Sequence, residues 1–217
     1  YMLGGQVKVP VVFRQSIGIR SGMAAQHSQS NEALWVSTPG LVVLAPSNPA
    51  DYHAMLKAAI RSDDPVMFLE HKELWTLRGP VNPETSPGTI GKARWMTSGK
   101  DLTLVSWSSS VHTCLKAAEL LVHYGLSADV IDLCSLWPWD REMVEESLHR
   151  TGRLLVVHES TQTNGLGAEI VSCMVEHHFD TLRSPPLRLA SPRIPVPYSK
   201  PLEDLCRVDA DLVVRTA

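Results

Sequence analysis

The residues of this sequence best suited to acid–base chemistry are histidines that follow strand-like segments. His27 lies in Ala24–Gln29 (AAQHSQ) after a glycine-containing turn, and His158 with Glu159 ends an apolar run before Asn164–Gly167 (NGLG). An imidazole can pass protons at neutral pH, and a glycine turn at a helix start can bind an anion. From residue type alone, a surface or capping role for His27 and a packing role for the glycine turn are the stronger alternatives.

Two other clusters have structural interpretations. His177 and His178 fall at a predicted helix end, where a positive charge complements the helix dipole, so we interpret them as capping residues. Trp137-Pro138-Trp139 predicts an apolar turn, which favours core or subunit contacts over ligand stacking. The sequence lacks the phosphate-binding, dinucleotide-binding and nucleophile-elbow glycine motifs, which argues against nucleoside triphosphate hydrolysis, Rossmann-type dinucleotide binding and α/β-hydrolase chemistry.

The composition is typical of a globular protein. The chain has 217 residues, of which 44% are hydrophobic and 20% are charged, and this length corresponds to one or two domains of roughly 100–200 residues. Lys and Arg number 20 against 23 Asp and Glu, so the net charge of −3 creates no strong field. No apolar run reaches the length of about 18 residues that a membrane helix needs. We therefore predict neither a nucleic-acid partner nor a membrane partner.

The cysteines and the N-terminus bear on the compartment. Cys114, Cys134, Cys173 and Cys206 form no Cys-x-x-Cys pair, which argues against a zinc site or a disulfide framework and favours a reducing compartment. No basic segment followed by an apolar one opens the chain, so we expect no secretory signal. A first residue of Tyr1 rather than Met suggests a processed, cut or incompletely recorded chain.

Strand-like and helix-like segments alternate along the chain. The predicted strands cover residues 9–14, 41–45, 65–70, 102–107, 128–133, 153–159 and 187–190. The predicted helices cover 49–62, 109–124, 140–149, 165–178 and a short segment from about 209. This alternation predicts an α/β fold with mostly parallel sheets covered on both faces.

A stretch rich in proline and glycine divides these elements, and we interpret residues 79–98 as a linker between domains at 1–78 and 99–217. Parallel sheets place functional sites beyond the carboxyl ends of their strands. That rule selects the loops at residues 15–29, 137–140 and 160–167.

Several motifs stand in a fixed order along the chain. They are VPVVFR (9–14), AAQHSQS-EA (24–33), PGLVVLAPSNPADYHAMLKAAIRSDDPVMFLE (39–70), IGKA (90–93), VIDLCSLWPWD (130–140), TGRLLVVHES (151–160), GLGAEI (165–170) and PVPYSKPLED (195–204). With these motifs the chain resembles, over essentially its whole length, the β subunit of the thiamine-diphosphate-dependent decarboxylase component of 2-oxo acid dehydrogenase complexes. HSQS-EA and VIDL-PWD favour the branched-chain or acetoin type over the pyruvate type.

The resemblance implies two parallel-sheet domains of the transketolase type: the second half of a pyrimidine-binding domain and a transketolase C-terminal domain. It further implies oxidative decarboxylation of a 2-oxo acid and reductive acylation of lipoyl-lysine, with thiamine diphosphate and magnesium as cofactors. His27 matches the family's active-site histidine, which lies near the thiazolium ring and the arriving lipoyl group. The cofactor-binding Glu is expected in a segment before Tyr1 and the magnesium-binding motif in the α subunit. We therefore expect no catalysis by this chain alone.

The resemblance also implies a structural potassium ion. The matching positions are Val11, Ala59, Ile60, Ser62 and Asp64. A hard cation needs several oxygen ligands, and the carbonyl groups of a helix end supply them. Ser62 and Asp64 depart from the family, which often has Asp and Asn there. An ordinary helix end without an ion is the alternative.

Partners and compartment follow from the same resemblance. It implies an α2β2 heterotetramer with the α subunit, contact with a second β subunit, and docking to the lipoyl acyltransferase core, for which Trp137 and Trp139 are suitable apolar residues. The compartment is then the cytoplasm of a bacterium or the mitochondrial matrix of a eukaryote. Three alternatives remain: a non-catalytic fragment or interaction module of this family, an acetoin dehydrogenase β subunit, and a self-contained deoxyxylulose-phosphate synthase.

Overall fold

The computed structural model describes residues 2–217, which form two sheets flanked by helices. The strands are β1 (Val12–Ile17), β2 (Val42–Leu44), β3 (Val66–His71), β4 (Arg94–Thr97), β5 (Leu102–Ser106), β6 (Ala128–Asp132), β7 (Ser135–Trp137), β8 (Leu154–Thr161) and β9 (Leu187–Ser191). The helices are α1 (Ala24–His27), α2 (Glu32–Val36), α3 (Pro49–Arg61), α4 (Ser110–Leu121), α5 (Arg141–Thr151), α6 (Leu166–His178), α7 (Lys200–Asp204) and α8 (Ala210–Thr216). Short 3₁₀ helices cover Lys72–Thr76, Val122–Tyr124 and Phe179–Thr181.

The first sheet has the strand order β1-β3-β2-β7. β1, β3 and β2 run parallel, and β7 pairs antiparallel with β2. The central strand β3 begins with the buried run Val66–Leu69, as expected for a parallel strand covered on both faces. Helix α3 begins where Asn48 Oδ1 accepts a hydrogen bond from Asp51 N (3.0 Å), and Pro49 occupies its first turn.

The second sheet has the order β4-β6-β5-β8-β9. Strands β6, β5, β8 and β9 run parallel, and β4 is an antiparallel edge strand beside β6. One apolar cluster contains Ile17 and Val43 of the first sheet together with Ile131 and Val156 of the second. The two sheets therefore share a continuous core, and their relative position is fixed by packing.

The predicted fold class is confirmed, because the chain forms two mostly parallel sheets with helices. Several local predictions are wrong. β1 covers 12–17 rather than 9–14, since Pro10 has no N–H for a ladder and pairing begins at Val12 with Val66. The predicted loop at 15–29 contains the short helix α1.

The stretch interpreted as a linker also differs from the expectation. Its last part forms β4, whose pairing with β6 shifts register between Trp95 and Thr97. β4 has no buried residue, so it lacks the apolar run that predicts a strand. The division of the chain into 1–78, 79–98 and 99–217 remains a prediction.

A buried carboxyl group links the two sheets. Asp132, at the end of β6, accepts hydrogen bonds from Ser47 Oγ at Oδ2 (2.5 Å) and from Cys134 N at Oδ1 (3.0 Å). Burial raises the pKa of Asp132 from 3.8 to about 6, and the hydrogen bond from Ser47 opposes that rise only in part. The folded state therefore favours the protonated form of Asp132. This contribution to stability is complete below about pH 4 and is lost as the pH rises through 6.

Replacing Asp132 tests how much its ionised, buried carboxylate lowers the free energy of unfolding. We expect Asp132→Asn to increase the free energy of unfolding of the full-length protein by about 1–3 kcal/mol at pH 8, and to give no increase at pH 4. The matched control is Asp129→Asn on the same strand, because Asp129 lies 2.5 Å from Arg150 and its replacement removes the buried, closer carboxylate partner of that cation. The control should be destabilised at pH 8. Denaturation curves with equal effects for both variants would contradict this account.

Candidate functional site

His27 is exposed at the carboxyl end of the first sheet. It is the last residue of α1, the short helix that follows the carboxyl end of β1 at Ile17. The neighbouring strand β3 has its carboxyl end at His71. An open cleft of about 440 Å³ lies in front of the ring. The residues lining it are Gln15, Ser16, Met23, Gln26, His27, Gln29, Asn31, Lys72 and Trp75. The imidazole thus faces a polar cleft at the edge where parallel sheets place their sites.

Lys72 is a cleft residue that the sequence analysis missed. It is the only lysine or arginine among the lining residues, and its side chain is largely buried. Burial lowers the pKa of Lys72, while the charge of Glu159 opposes that shift. No ion pair joins Lys72 to any residue between 2 and 217. Its ammonium group therefore adds positive charge to the cleft, and a single lysine in HKELW carries no motif that could have identified it.

His158 is a core residue despite its place at a strand end. Its ring is fully buried and stacks on Trp107, with ring centroids 5.0 Å apart and an interplanar angle of 12°. Its Nδ1 lies 2.9 Å from Ser160 Oγ. Burial lowers the pKa of His158 from 6.5 to about 4, so the ring is neutral at physiological pH. It is therefore not a proton-transfer group of the cleft.

The glycine turn after β8 is explained by packing on this histidine. A Cβ atom added to Gly165 would lie 2.6 Å from His158 Cε1, and one added to Gly167 would lie 2.7 Å from His158 Nε2. Both positions require glycine because α6 begins directly against the imidazole. These contacts favour the packing interpretation of the turn over anion binding.

Two of the three predicted site loops lie together. Residues 28–31, 160–161 and 163–165 line a second cavity of about 590 Å³, next to the cleft in front of His27. The loop at 137–140 is absent from both lining sets within the described residues. The reason is that β7 runs antiparallel to β2, so its carboxyl end points to the opposite edge of the first sheet.

The remaining candidates have structural contacts. Trp137 is exposed, whereas Trp139 is partly buried against the shared core, so only Trp137 offers a free apolar surface. His177 and His178 lie at the end of α6, as predicted. His178 Nε2 lies 3.0 Å from Glu145 Oε1, a contact to a side chain of α5 in addition to the helix-end position.

The predicted potassium ligands lie in two segments at the amino end of the first sheet, just before β1 and at the end of α3. Val66 N donates a hydrogen bond to Val11 O (2.8 Å), which pairs the residue before β1 with the first residue of β3. There Asp64 N donates to Ser62 Oγ (3.1 Å), and Ala59 O, one of the proposed ligands, already accepts a hydrogen bond from Ser62 N (3.2 Å). The donor set is oxygen only, which fits a hard cation.

A second group of potential ligands is satisfied by protein contacts. Within residues 2–217, Asp51, Asp132 and Cys134 place their ligand atoms within 4.8 Å of one another. Asp51 pairs with Arg94 and accepts a hydrogen bond from Asn48 Nδ2 (2.6 Å), and Asp132 has the partners described above. This group is a polar contact between the sheets. In the same range, no helix is both long and apolar enough to cross a membrane.

Family models describe both parts of the chain. The transketolase pyrimidine-binding domain matches residues 1–76, and the transketolase C-terminal domain matches residues 91–213. The second match alone covers more than half of the chain. The chain therefore belongs to the transketolase family.

Similar proteins narrow the class. The chain is 42% identical to a mitochondrial pyruvate dehydrogenase E1 component subunit beta-1 of Arabidopsis thaliana over 221 aligned residues, which cover 100% of this chain and 61% of that protein. It is 39% identical to the mitochondrial subunit beta of Dictyostelium discoideum, with 100% and 62% coverage. The resemblance to β subunits of this decarboxylase component is thus confirmed. The chain spans about 60% of the length of these relatives.

Solved structures show the same fold. A split gene transketolase, described as an inactive beta4 tetramer, has a TM-score of 0.79 at 23% identity and covers 99% of this chain and 68% of its own. A transketolase variant from Pichia stipitis has a TM-score of 0.67 at 16% identity, with 96% and 30% coverage. At these identities the likeness concerns the fold alone.

The packing interpretation of the glycine turn predicts a coupled effect. Gly167→Ala should destabilise the full-length protein by about 1–3 kcal/mol, because the added methyl group overlaps His158. The cost should shrink in a His158→Ala background, which removes the overlapping ring, and chemical denaturation of the four proteins measures the difference. Equal costs in both backgrounds, or stabilisation of the wild type by inorganic phosphate, would instead favour the anion site.

Proposed function

We propose that this chain is part of the β subunit of a 2-oxo acid dehydrogenase decarboxylase component. With an α subunit, in an α2β2 heterotetramer, the complete protein would catalyse thiamine-diphosphate-dependent oxidative decarboxylation of a 2-oxo acid and reductive acylation of lipoyl-lysine. The observation that carries the proposal is the exposed ring of His27 in an open cleft at the carboxyl end of the pyrimidine-domain sheet. The relatives support the assignment.

The residues of this chain have distinct tasks in that site. Thiamine diphosphate, bound with magnesium by the α subunit and by further parts of the β subunit, supplies the carbanion chemistry. The exposed His27 imidazole holds a proton and delivers it to the dithiolane sulfur of the arriving lipoyl group. Lys72 adds positive charge to the cleft, and the side-chain amide of Gln29 offers hydrogen bonds to a polar ligand, whereas Gln15 Oε1 already accepts from Trp35 Nε1 (2.7 Å). The cleft is open, so the other chain segments and the α subunit complete its walls.

Substrate, partners and compartment are parts of the same proposal. The two relatives described above are pyruvate dehydrogenase subunits, whereas HSQS-EA favours branched-chain or acetoin-type substrates. Assays of the assembled enzyme on pyruvate, branched-chain 2-oxo acids and acetoin distinguish these classes. A second β subunit and the acyltransferase core are the further partners, and the exposed Trp137 is a suitable contact for them. The compartment is the mitochondrial matrix of a eukaryote, as for these relatives, or the cytoplasm of a bacterium.

Replacing the cleft imidazole tests the proposed activity. In the heterotetramer of full-length β with its α subunit, His27→Ala should lower the rate of lipoyl acylation about 10²–10⁴-fold, because a positioned acid–base group is lost. The matched control is His123→Ala, which removes another exposed imidazole remote from the cleft and should retain the wild-type rate. Unchanged acylation by His27→Ala would remove this residue from the mechanism. An inactive wild-type assembly on all three substrate classes would favour a non-catalytic member of the family.

The potassium site makes an independent prediction. Exchange of potassium for tetramethylammonium should lower the thermal midpoint of the full-length protein, since an ion that binds only the folded state stabilises it. Asp64→Ala should abolish that difference by removing a charged ligand. The neighbouring Asp63→Ala is the control, because Asp63 pairs with Lys8 (2.7 Å) and is not a proposed ligand. A midpoint that is independent of the cation in the wild type would rule out the ion.

A further inference from the structure

We propose that Glu159, Glu203 and Trp107, all from the C-terminal part of the chain, are positioning residues for His27. They hold residues 18–32, hereafter the His27 segment, at the carboxyl end of the first sheet. This assigns a role in the site to the transketolase C-terminal domain, from which the family resemblance implies no catalytic residue. The inference deepens the proposed function and rests on it for the role of His27.

Glu159 joins the two ends of the His27 segment. Its Oε1 atom accepts hydrogen bonds from Ile19 N (2.7 Å) at the start of the segment and from Ser30 Oγ (3.2 Å) near its end. Gly18 N also donates to Gln29 O (2.8 Å), which closes the segment into a loop. One carboxylate oxygen therefore ties both ends of the loop that carries His27 to strand β8.

His71 completes the surroundings of that oxygen. Its Nδ1 accepts a hydrogen bond from Glu73 N (3.2 Å), so the ring proton lies on Nε2, which donates to Glu159 Oε1 (3.0 Å). The backbone of Gly18 has φ +92°, and a Cβ atom there would lie 2.0 Å from His71 Nε2. The start of the His27 segment thus packs directly on the His71–Glu159 pair and requires glycine at this position.

Glu159 is ionised at neutral pH. Burial raises its pKa, but the hydrogen bonds from His71 and from Ile19 N, together with the positive charge of Arg207, outweigh burial and hold the pKa below its usual value. Its contacts are therefore charge-assisted, and such hydrogen bonds are shorter and stronger than those between neutral groups. A carboxylate accepts only, which suits the three donors that surround Oε1, namely Ile19 N, Ser30 Oγ and His71 Nε2.

Two further contacts hold the His27 segment, one between Ile19 and Ser30 and one after Ser30. Glu203 is fully buried, and its Oε2 accepts a hydrogen bond from Gly22 N (3.0 Å), two residues before the start of α1. Trp107 Nε1 donates to Glu32 Oε1 (2.9 Å), the acidic residue of the HSQS-EA motif. The C-terminal part of the chain therefore contacts the segment at Ile19, Gly22, Ser30 and Glu32, on both sides of His27.

None of these contacts involves the His27 ring itself. The imidazole is exposed on the short helix α1, and the residues held by polar contacts lie before and after that helix in the segment. Fixed ends limit the positions that the ring can adopt, and small displacements of a reacting group lower rates steeply. Removal of Glu159 should therefore slow the step that uses His27 and leave the binding of substrate largely unchanged.

The test uses the heterotetramer of full-length β with its α subunit. Hydrogen exchange, read by mass spectrometry, compares wild type with Glu159→Ala, Glu159→Gln and Glu145→Ala. Glu159→Ala should accelerate amide exchange in peptides covering 18–32 by about tenfold, with unchanged exchange in β5. Glu159→Gln should retain most protection, because its amide oxygen can replace Oε1. Glu145→Ala is the matched control, since that carboxylate contacts Arg141 and His178 and not the segment.

Kinetics on the same proteins test the consequence. Glu159→Ala should lower kcat for lipoyl acylation by about 10-fold or more with a KM within about threefold of wild type, and Glu159→Gln should recover most of the loss. If Glu159→Ala does not assemble, Ser30→Ala removes one contact only and should accelerate exchange at 28–31. Wild-type exchange across 18–32 in these variants would overturn the inference. Faster amide exchange in residues 18–32 of the Glu159→Ala variant, together with an inactive wild-type enzyme, would overturn the proposed function. The positioning of the His27 segment by Glu159 would still be supported.

Discussion

The candidate site depends on one oxygen atom of a largely buried carboxylate. Glu159 Oε1 accepts hydrogen bonds from a backbone amide, a serine hydroxyl and a histidine ring, all of which belong to the part of the chain that forms the first sheet. A buried N–H without a partner is costly, so the loop around His27 adopts the path in which these donors are satisfied. The shared apolar core fixes the distance between the sheets. Because β8 is held at that distance, the Glu159 carboxylate determines where the His27 segment lies.

Two adjacent residues of β8 show how one strand serves both the core and the site. Successive side chains of a strand point to opposite faces. His158 therefore turns to Trp107 and the glycines of α6, where burial keeps it neutral, while Glu159 turns to the His27 segment, where donors keep it charged. His158, which the sequence offered as a proton-transfer candidate, is therefore a structural residue. The adjacent Glu159 contacts the loop that carries the exposed His27.

The sequence predicted the architecture because its strongest patterns are local. Apolar runs, the Asn48-Pro49 helix start and the helix of Asp140 are confirmed, since each depends on neighbouring residues. β4 and β7 were missed because their pairing is decided by distant strands, and β7 in particular crosses to the first sheet. His27 was identified by its motif and family resemblance. Glu203, Lys72 and Trp107 were not, since their contacts join residues far apart in the sequence and follow no spacing rule.

A double-mutant cycle between Glu159 and His27, read as the rate of lipoyl acylation by the assembled full-length enzyme, tests the central claim most directly. If Glu159 acts through His27, Glu159→Ala should lower the rate about tenfold or more in the wild type and should have almost no further effect in the His27→Ala background. The two losses would then be strongly non-additive. Independent losses that multiply in the double variant would contradict the claim that this carboxylate serves the site by placing the imidazole.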